Sequence, residues 1–114
     1  MDFATARQFV LGQTGPRTDQ RLDTFIACLR QGRPPVPGQV TSLLLALKVI
    51  FEGLKQEPTL ERSLVQALLV FIKDSPDLFQ SGSYQGVQWP PLLEDDLARL
   101  SRAAVSIIKG EWQD

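Results

Sequence analysis

The chain has no histidine. That removes the commonest general base, the commonest metal ligand and the side chain that switches charge near neutral pH. It has one cysteine, Cys28, so neither an intramolecular disulfide nor a cysteine metal cluster can form. It has no charge of one sign in excess: 12 basic and 13 acidic residues leave a formal charge of −1. Such a balance makes no long-range field to gather nucleic acid or an anionic membrane. Long hydrophobic runs are missing too. The greasiest stretch, Leu43–Leu47, is followed by Lys48 and falls far short of the roughly 20 residues of a membrane span. The start, Met1-Asp2-Phe3, lacks the basic and apolar regions of a signal peptide, so the expected location is cytoplasmic. Alternating β-branched runs are lacking, and no repeat suggests a solenoid.

What remains is an ordinary globular composition, 43% apolar over 114 residues. This fits one domain spanning residues 1–114, large enough to hold together without a disulfide or a metal. The apolar residues recur at helical spacing. The segment Pro34–Lys55, PPVPGQVTSLLLALKVIFEGLK, has a stiff proline connector, a polar lip, and then a helix apolar around most of its circumference. Val40, Leu43, Leu44, Leu47, Ile50, Phe51 and Leu54 form its main stripe, and Leu45, Ala46 and Val49 widen it. A helix so patterned needs neighbours on at least two sides. The expected fold is therefore all-α: a bundle of four to six helices around a central hydrophobic helix at about 38–56. Intramolecular burial of that helix ranks ahead of homodimerisation as the way to cover it.

Other helices follow from caps and stripes. Asp2 caps a first helix running to about Leu11, with Gly12 as its stop. Thr18 is the expected N-cap of a second, with Asp19 in its first turn, Leu22, Phe25, Ile26 and Leu29 on its inner face, and Gly32 at its end. A fourth carries Leu60, Leu64, Ala67, Leu68, Phe71 and Ile72 and ends near Lys73. Asp74-Ser75-Pro76-Asp77 starts a short helical turn that Gly82 closes. The last helix runs from about Pro91 to Lys109, with Leu93, Leu97, Leu100, Ala104 and Ile107 inward, widened by Val105 and Ile108. Ser81–Pro91, SGSYQGVQWPP, reads as the longest loop between helices.

Chemistry is sparse. Glu94-Asp95-Asp96 offers carboxylates, but consecutive helical positions diverge by about 100°; favour from the helix dipole is the better account. Neither GxxxxGK[ST] nor GxGxxG occurs, and no serine sits in a GxSxG elbow or has a histidine to activate it. Cys28 reads as packing, because no basic partner is at hand to make a thiolate. No catalytic, cofactor or metal residue is expected, and no cofactor. Arg7, Arg17, Arg21, Arg30 and Arg33 make the first third basic; a solvated face is the plainer reading, and weak nucleic-acid binding the other. Arg33 with Gln39, Thr41 and Ser42 could hold an anion at the start of the central helix.

Aromatic residues give the strongest binding signal. Tyr84 and Trp89 lie in the Gly/Pro loop and Trp112 lies near the C-terminus. Large rigid rings with a polar tip are enriched at hot spots. Tyr84, Trp89, Trp112 and Arg33 form the candidate interaction surface. The competing account of Trp89 is closure of the core.

The blocks Pro34–Lys55 and Trp89–Leu100, with a terminal GxW at Gly110–Trp112, resemble a group of small cyanobacterial proteins carrying an automatic "dethiobiotin synthetase" label. The resemblance covers about a third of the chain and includes no chemical signature. It implies a small helical protein of cyanobacterial type. The label implies an ATP-dependent ligase with a P-loop α/β fold, which these residues do not supply, so no catalytic residue is carried over. The expected function is a non-catalytic cytoplasmic interaction, assembly or regulatory factor whose partner is another protein. A small-molecule-binding protein or enzyme with a site between helices is the alternative.

Overall fold

The first helix, α1 (Phe3–Gln13), begins where Asp2 accepts a 2.7 Å hydrogen bond from the Thr5 amide. The computed structural model describes residues 1–15 and 23–113. The helix passes through Gly12 and stops at Thr14, whose hydroxyl donates to the Val10 carbonyl at 2.9 Å. Gly12 therefore does not end it: a side chain that takes a last-turn carbonyl does.

The next helix, α2 (Phe25–Arg30), is capped by Thr24, which accepts from the Ala27 amide. The expected cap Thr18 and the residues Asp19 and Leu22 lie outside the described residues. Asp23 and Thr24 are not helical, so Thr24 rather than Thr18 launches the turn that holds Phe25. The Phe25 amide is also met from outside, donating 2.8 Å to the Gln13 side chain. Gly32 ends the helix at φ 69°, with the Gly32 and Arg33 amides returning to Leu29 and Cys28 carbonyls. A left-handed residue at that position is what those paired return bonds require.

The central helix, α3 (Gln39–Leu54), follows Gly38, itself left-handed at φ 83°. Leu43, Ala46, Leu47, Ile50 and Phe51 are buried. α1 lies along one side of it. On the other side runs α6 (Leu93–Lys109). The two-sided burial expected of this helix is thus met within the chain, while Leu45 stays 53% exposed.

Between them the chain departs most from expectation. Two pieces were expected, a helix ending near Lys73 and a short turn after it. Instead α4 (Arg62–Leu69) flows through a π-helical turn, Val70–Asp74, into α5 (Ser75–Tyr84). Pro76 explains the π turn. A proline cannot donate, and its ring crowds the carbonyl one turn back. The wider turn relieves this: the Ser75 amide reaches back to the Val70 carbonyl, and the Ser75 hydroxyl donates to the same oxygen at 2.7 Å. Gly82 sits inside α5. The residue that ends it is Gly86, at φ 92°, where the Gly86 and Val87 amides return to Ser83 and Gly82. The expected loop Ser81–Pro91 is accordingly shorter, because Ser81–Tyr84 is helix.

The chain is an all-α bundle, with no strand among the described residues. α1 and α6 flank α3, α4 packs against both of them and the π turn against α6, and all share one apolar core. Phe25 and Phe71 meet at its centre, rings 5.6 Å apart. Among the described residues, every buried side-chain nitrogen or oxygen has a hydrogen-bond partner. No described helix is long and apolar enough to cross a membrane.

Candidate interaction groove

The connector after α5 leads into α6, which packs against α5, the π turn and α4. The two helices do not close on each other fully. They leave a groove of about 720 Å³ with Phe79 and Leu97 in its floor and wall. Tyr84 stands at its rim, 82% exposed. Ala98 lies within it, between Glu94 and Arg102 on the same helix.

The groove's geometry comes from α6's second face. Leu93, Leu97, Leu100, Ala104 and Ile107 are buried as expected. Val105 and Ile108 were expected to widen that inner face. They do not: Val105 is half-buried and Ile108 is 43% exposed. They continue a separate strip, Glu94, Ala98, Ser101, Val105 and Ile108, spaced by four and three residues and so aligned on one side of the helix. That spacing was present in the sequence. The opposite wall was legible only as far as Gly82; its end, Ser83 and Tyr84, depends on α5 running through that glycine.

Trp89 is not on the rim. Its ring stacks on Phe79 at 5.7 Å and its indole N–H donates 2.9 Å to the Phe79 carbonyl. It lies over Gly82, where a Cβ would come within 2.6 Å of Cζ2. Trp89 thus builds the back of the α5 wall. Trp112 docks on its own domain: its ring meets Phe51 edge-on at 5.2 Å, and Lys48 Nζ lies 4.0 Å from the ring centre. A smaller hollow of about 290 Å³ lies there, lined among others by Lys48, Arg99, Arg102 and Trp112. The structure therefore separates the four sequence candidates. Tyr84, the last residue of α5, and Trp89, in the connector packed on that helix, do opposite jobs, while Trp112 and Arg33 lie elsewhere.

Arg33 pairs with Asp23 at 3.7 Å, and its Nε donates to Gln31 at 3.0 Å. The proposed anion cradle around it is not assembled. The Gln39 amide nitrogen is bound to Gln13 Oε1 and the Asp23 carbonyl, at 2.7 and 2.9 Å. A carboxylate, Asp96, lines the hollow next to Gly38 and Thr41, which opposes an anion there. Of the other early arginines, Arg7 bonds Glu61, and Arg17 and Arg21 lie outside the described residues.

No group of three or more acidic or cysteine residues converges on a metal position among the described residues. Glu94, Asp95 and Asp96 occupy the first turn of α6, the end where the dipole favours them. Cys28 is buried, and burial pushes its thiol up from the ordinary value. The shifted carboxylates, Asp2, Glu52 and Glu61, are exposed and are held down by local hydrogen bonds: the Thr5 amide on Asp2, Lys55 on Glu52, and Ser63, then Arg7, on Glu61. None of them lines the α5–α6 groove.

No family model, no curated protein and no solved structure matches this chain.

Proposed function

We propose that this protein is a non-catalytic interaction module of the cytoplasm, an assembly or regulatory factor that works by docking another polypeptide in the α5–α6 groove. The observation that carries this reading is Tyr84. A large aromatic side chain, 82% exposed, stands beside an apolar groove that the fold leaves open. Exposed aromatics next to concave apolar surface are the usual anchors of protein interfaces, and two helices with a furrow between them suit a helical ligand. The test is capture of partners from native lysate by tagged wild type and by Tyr84→Ala. Removing an exposed ring should leave the melting temperature nearly unchanged. A partner held by wild type and lost by the folded variant supports the reading; equal capture by both opposes it.

A second reading comes from the groove's size. About 720 Å³ lies within the range of small-molecule sites, and Glu94 and Arg102 would supply the few polar groups such a site needs. A thermal-shift screen of metabolites separates the two. A compound that raises the melting temperature of wild type but not of Leu97→Ala favours ligand binding.

A further inference from the structure

Glu94 and Arg102 both wall the groove and both belong to α6. They lie two turns apart on one face, about 12 Å along the axis at 1.5 Å per residue. Among the described residues neither side chain has an ion-pair or hydrogen-bond partner. Several other charges on this helix and its neighbours are matched locally, Arg99 with Asp96, Lys73 with Asp77 and Lys48 with Glu52; Asp95 and Lys109 are unmatched too but do not line the groove. The midpoint between Glu94 and Arg102 is Ala98, exposed and carrying only a methyl group.

We infer that the groove receives a second copy of this chain, α6 laid antiparallel on α6 about a two-fold axis at Ala98. The inference rests on the interaction reading above and names its partner. A two-fold axis there places Glu94 of each copy against Arg102 of the other. One unmatched acid and one unmatched base thus become two ion pairs. This is the pattern an isologous interface requires, where residue i meets j and j meets i. A different partner would need no such symmetry. Ala98 and Ser101, small and central, let the helix axes approach closely. The three-and-four spacing of the strip supplies a seam of coiled-coil type. Tyr84 at the rim then closes over the second copy's helix.

The test is sedimentation velocity of the full chain across a concentration series, for wild type, Glu94→Arg, Arg102→Glu and the double exchange. Wild type should be a dimer in the micromolar range. Each single reversal turns two attractions into two repulsions, weakening association by about tenfold or more. The double exchange restores both pairs and should restore the dimer. Arginine in the first turn of α6 opposes the dipole and lowers stability. The double exchange carries that same loss, so its recovery cannot come from folding, and circular dichroism checks that each variant is helical. A monomeric wild type at every concentration, or a double exchange that stays monomeric, overturns the inference. If wild type is monomeric yet Tyr84→Ala loses a captured partner, the second copy is wrong and the interaction reading stands. If wild type is monomeric and Tyr84→Ala captures as wild type does, both fall.

Discussion

The Trp89 ring occupies the space that a side chain on Gly82 would need, with a Cβ at 82 only 2.6 Å from Cζ2. In an exposed helix, glycine to alanine stabilises by about 1 kcal/mol. Here the added methyl must push the indole off Phe79 and lengthen its 2.9 Å bond to the Phe79 carbonyl. Overpacking of that kind costs about 1–3 kcal/mol. Gly82→Ala should therefore destabilise, reversing the sign of the propensity rule. Chemical denaturation followed by tryptophan fluorescence measures it, and a more stable variant would show that the ring moves freely. Trp89→Ala should lose about 3–5 kcal/mol, the loss expected of a packed ring and not of one kept for docking.

The same relationship recurs across the molecule, and it explains what the sequence did and did not reveal. Phe3 lies over Gly53 of α3, where a Cβ would come within 2.6 Å of the ring. Glycine in a helical pattern usually reads as a stop. Gly32, Gly86 and Gly110 are stops, with positive φ. Gly12, Gly53 and Gly82 are not, and the last two are notches that aromatic rings fill. Spacing along the chain cannot tell a notch from a stop, because the ring comes from another segment. The central helix and the inner face of α6 were legible, since their stripes repeat over several turns. The π turn was not. It depends on one proline and one serine acting on a carbonyl five residues back. The helical start at Ser75-Pro76 was legible, but the joining of that helix to α4 and its run through Gly82 to Tyr84 were not.

Leu47 and Leu45 lie two residues apart on α3 with opposite fates. Leu47 is fully buried, and Leu45 is 53% exposed. Leu47→Ala leaves a cavity among α1, α3 and α6 and should cost about 2–5 kcal/mol. Leu45→Ala should change stability by about 0.5 kcal/mol or less. Urea midpoints with a common slope would give both values. A large loss at Leu45 in concentrated protein but not in dilute protein would point to a second contact surface on this helix.

Glu61 joins two parts of the chain: it accepts from the Ser63 hydroxyl at the start of α4 and from Arg7 on α1. Ser63 first, then Arg7, holds its carboxyl below the ordinary glutamate value. A lowered folded-state pKa means stability that is present above the ordinary value and lost as pH falls through the lowered one. Melting temperature should thus drop on acidification through that window. Glu61→Gln should shrink the drop without removing it, because Asp2 and Glu52 are lowered too, by the Thr5 amide and by Lys55. A melting profile for Glu61→Gln that parallels wild type at every pH would show that the Arg7 contact is silent in solution.

Cys28 gives the clearest chemical readout of the α2 region. The thiol is buried, its neighbours include Arg33 and Asp23, and burial outweighs the arginine in raising its pKa. A raised thiol pKa makes the thiolate the disfavoured form in the folded state. The associated stability is full below the unfolded thiol's pKa and is lost as pH climbs through the raised value. Two results follow at mildly alkaline pH. A thiol reagent should modify native protein much more slowly than urea-unfolded protein, since reaction waits for local opening. Cys28→Ala should flatten the alkaline fall in melting temperature relative to wild type. Rapid stoichiometric labelling of native protein would instead mean that α2 opens easily. With Gln13 holding the Phe25 amide and the Gln39 side chain together, Gln13→Ala should then speed labelling further, which locates the opening at the junction of α1, α2 and α3.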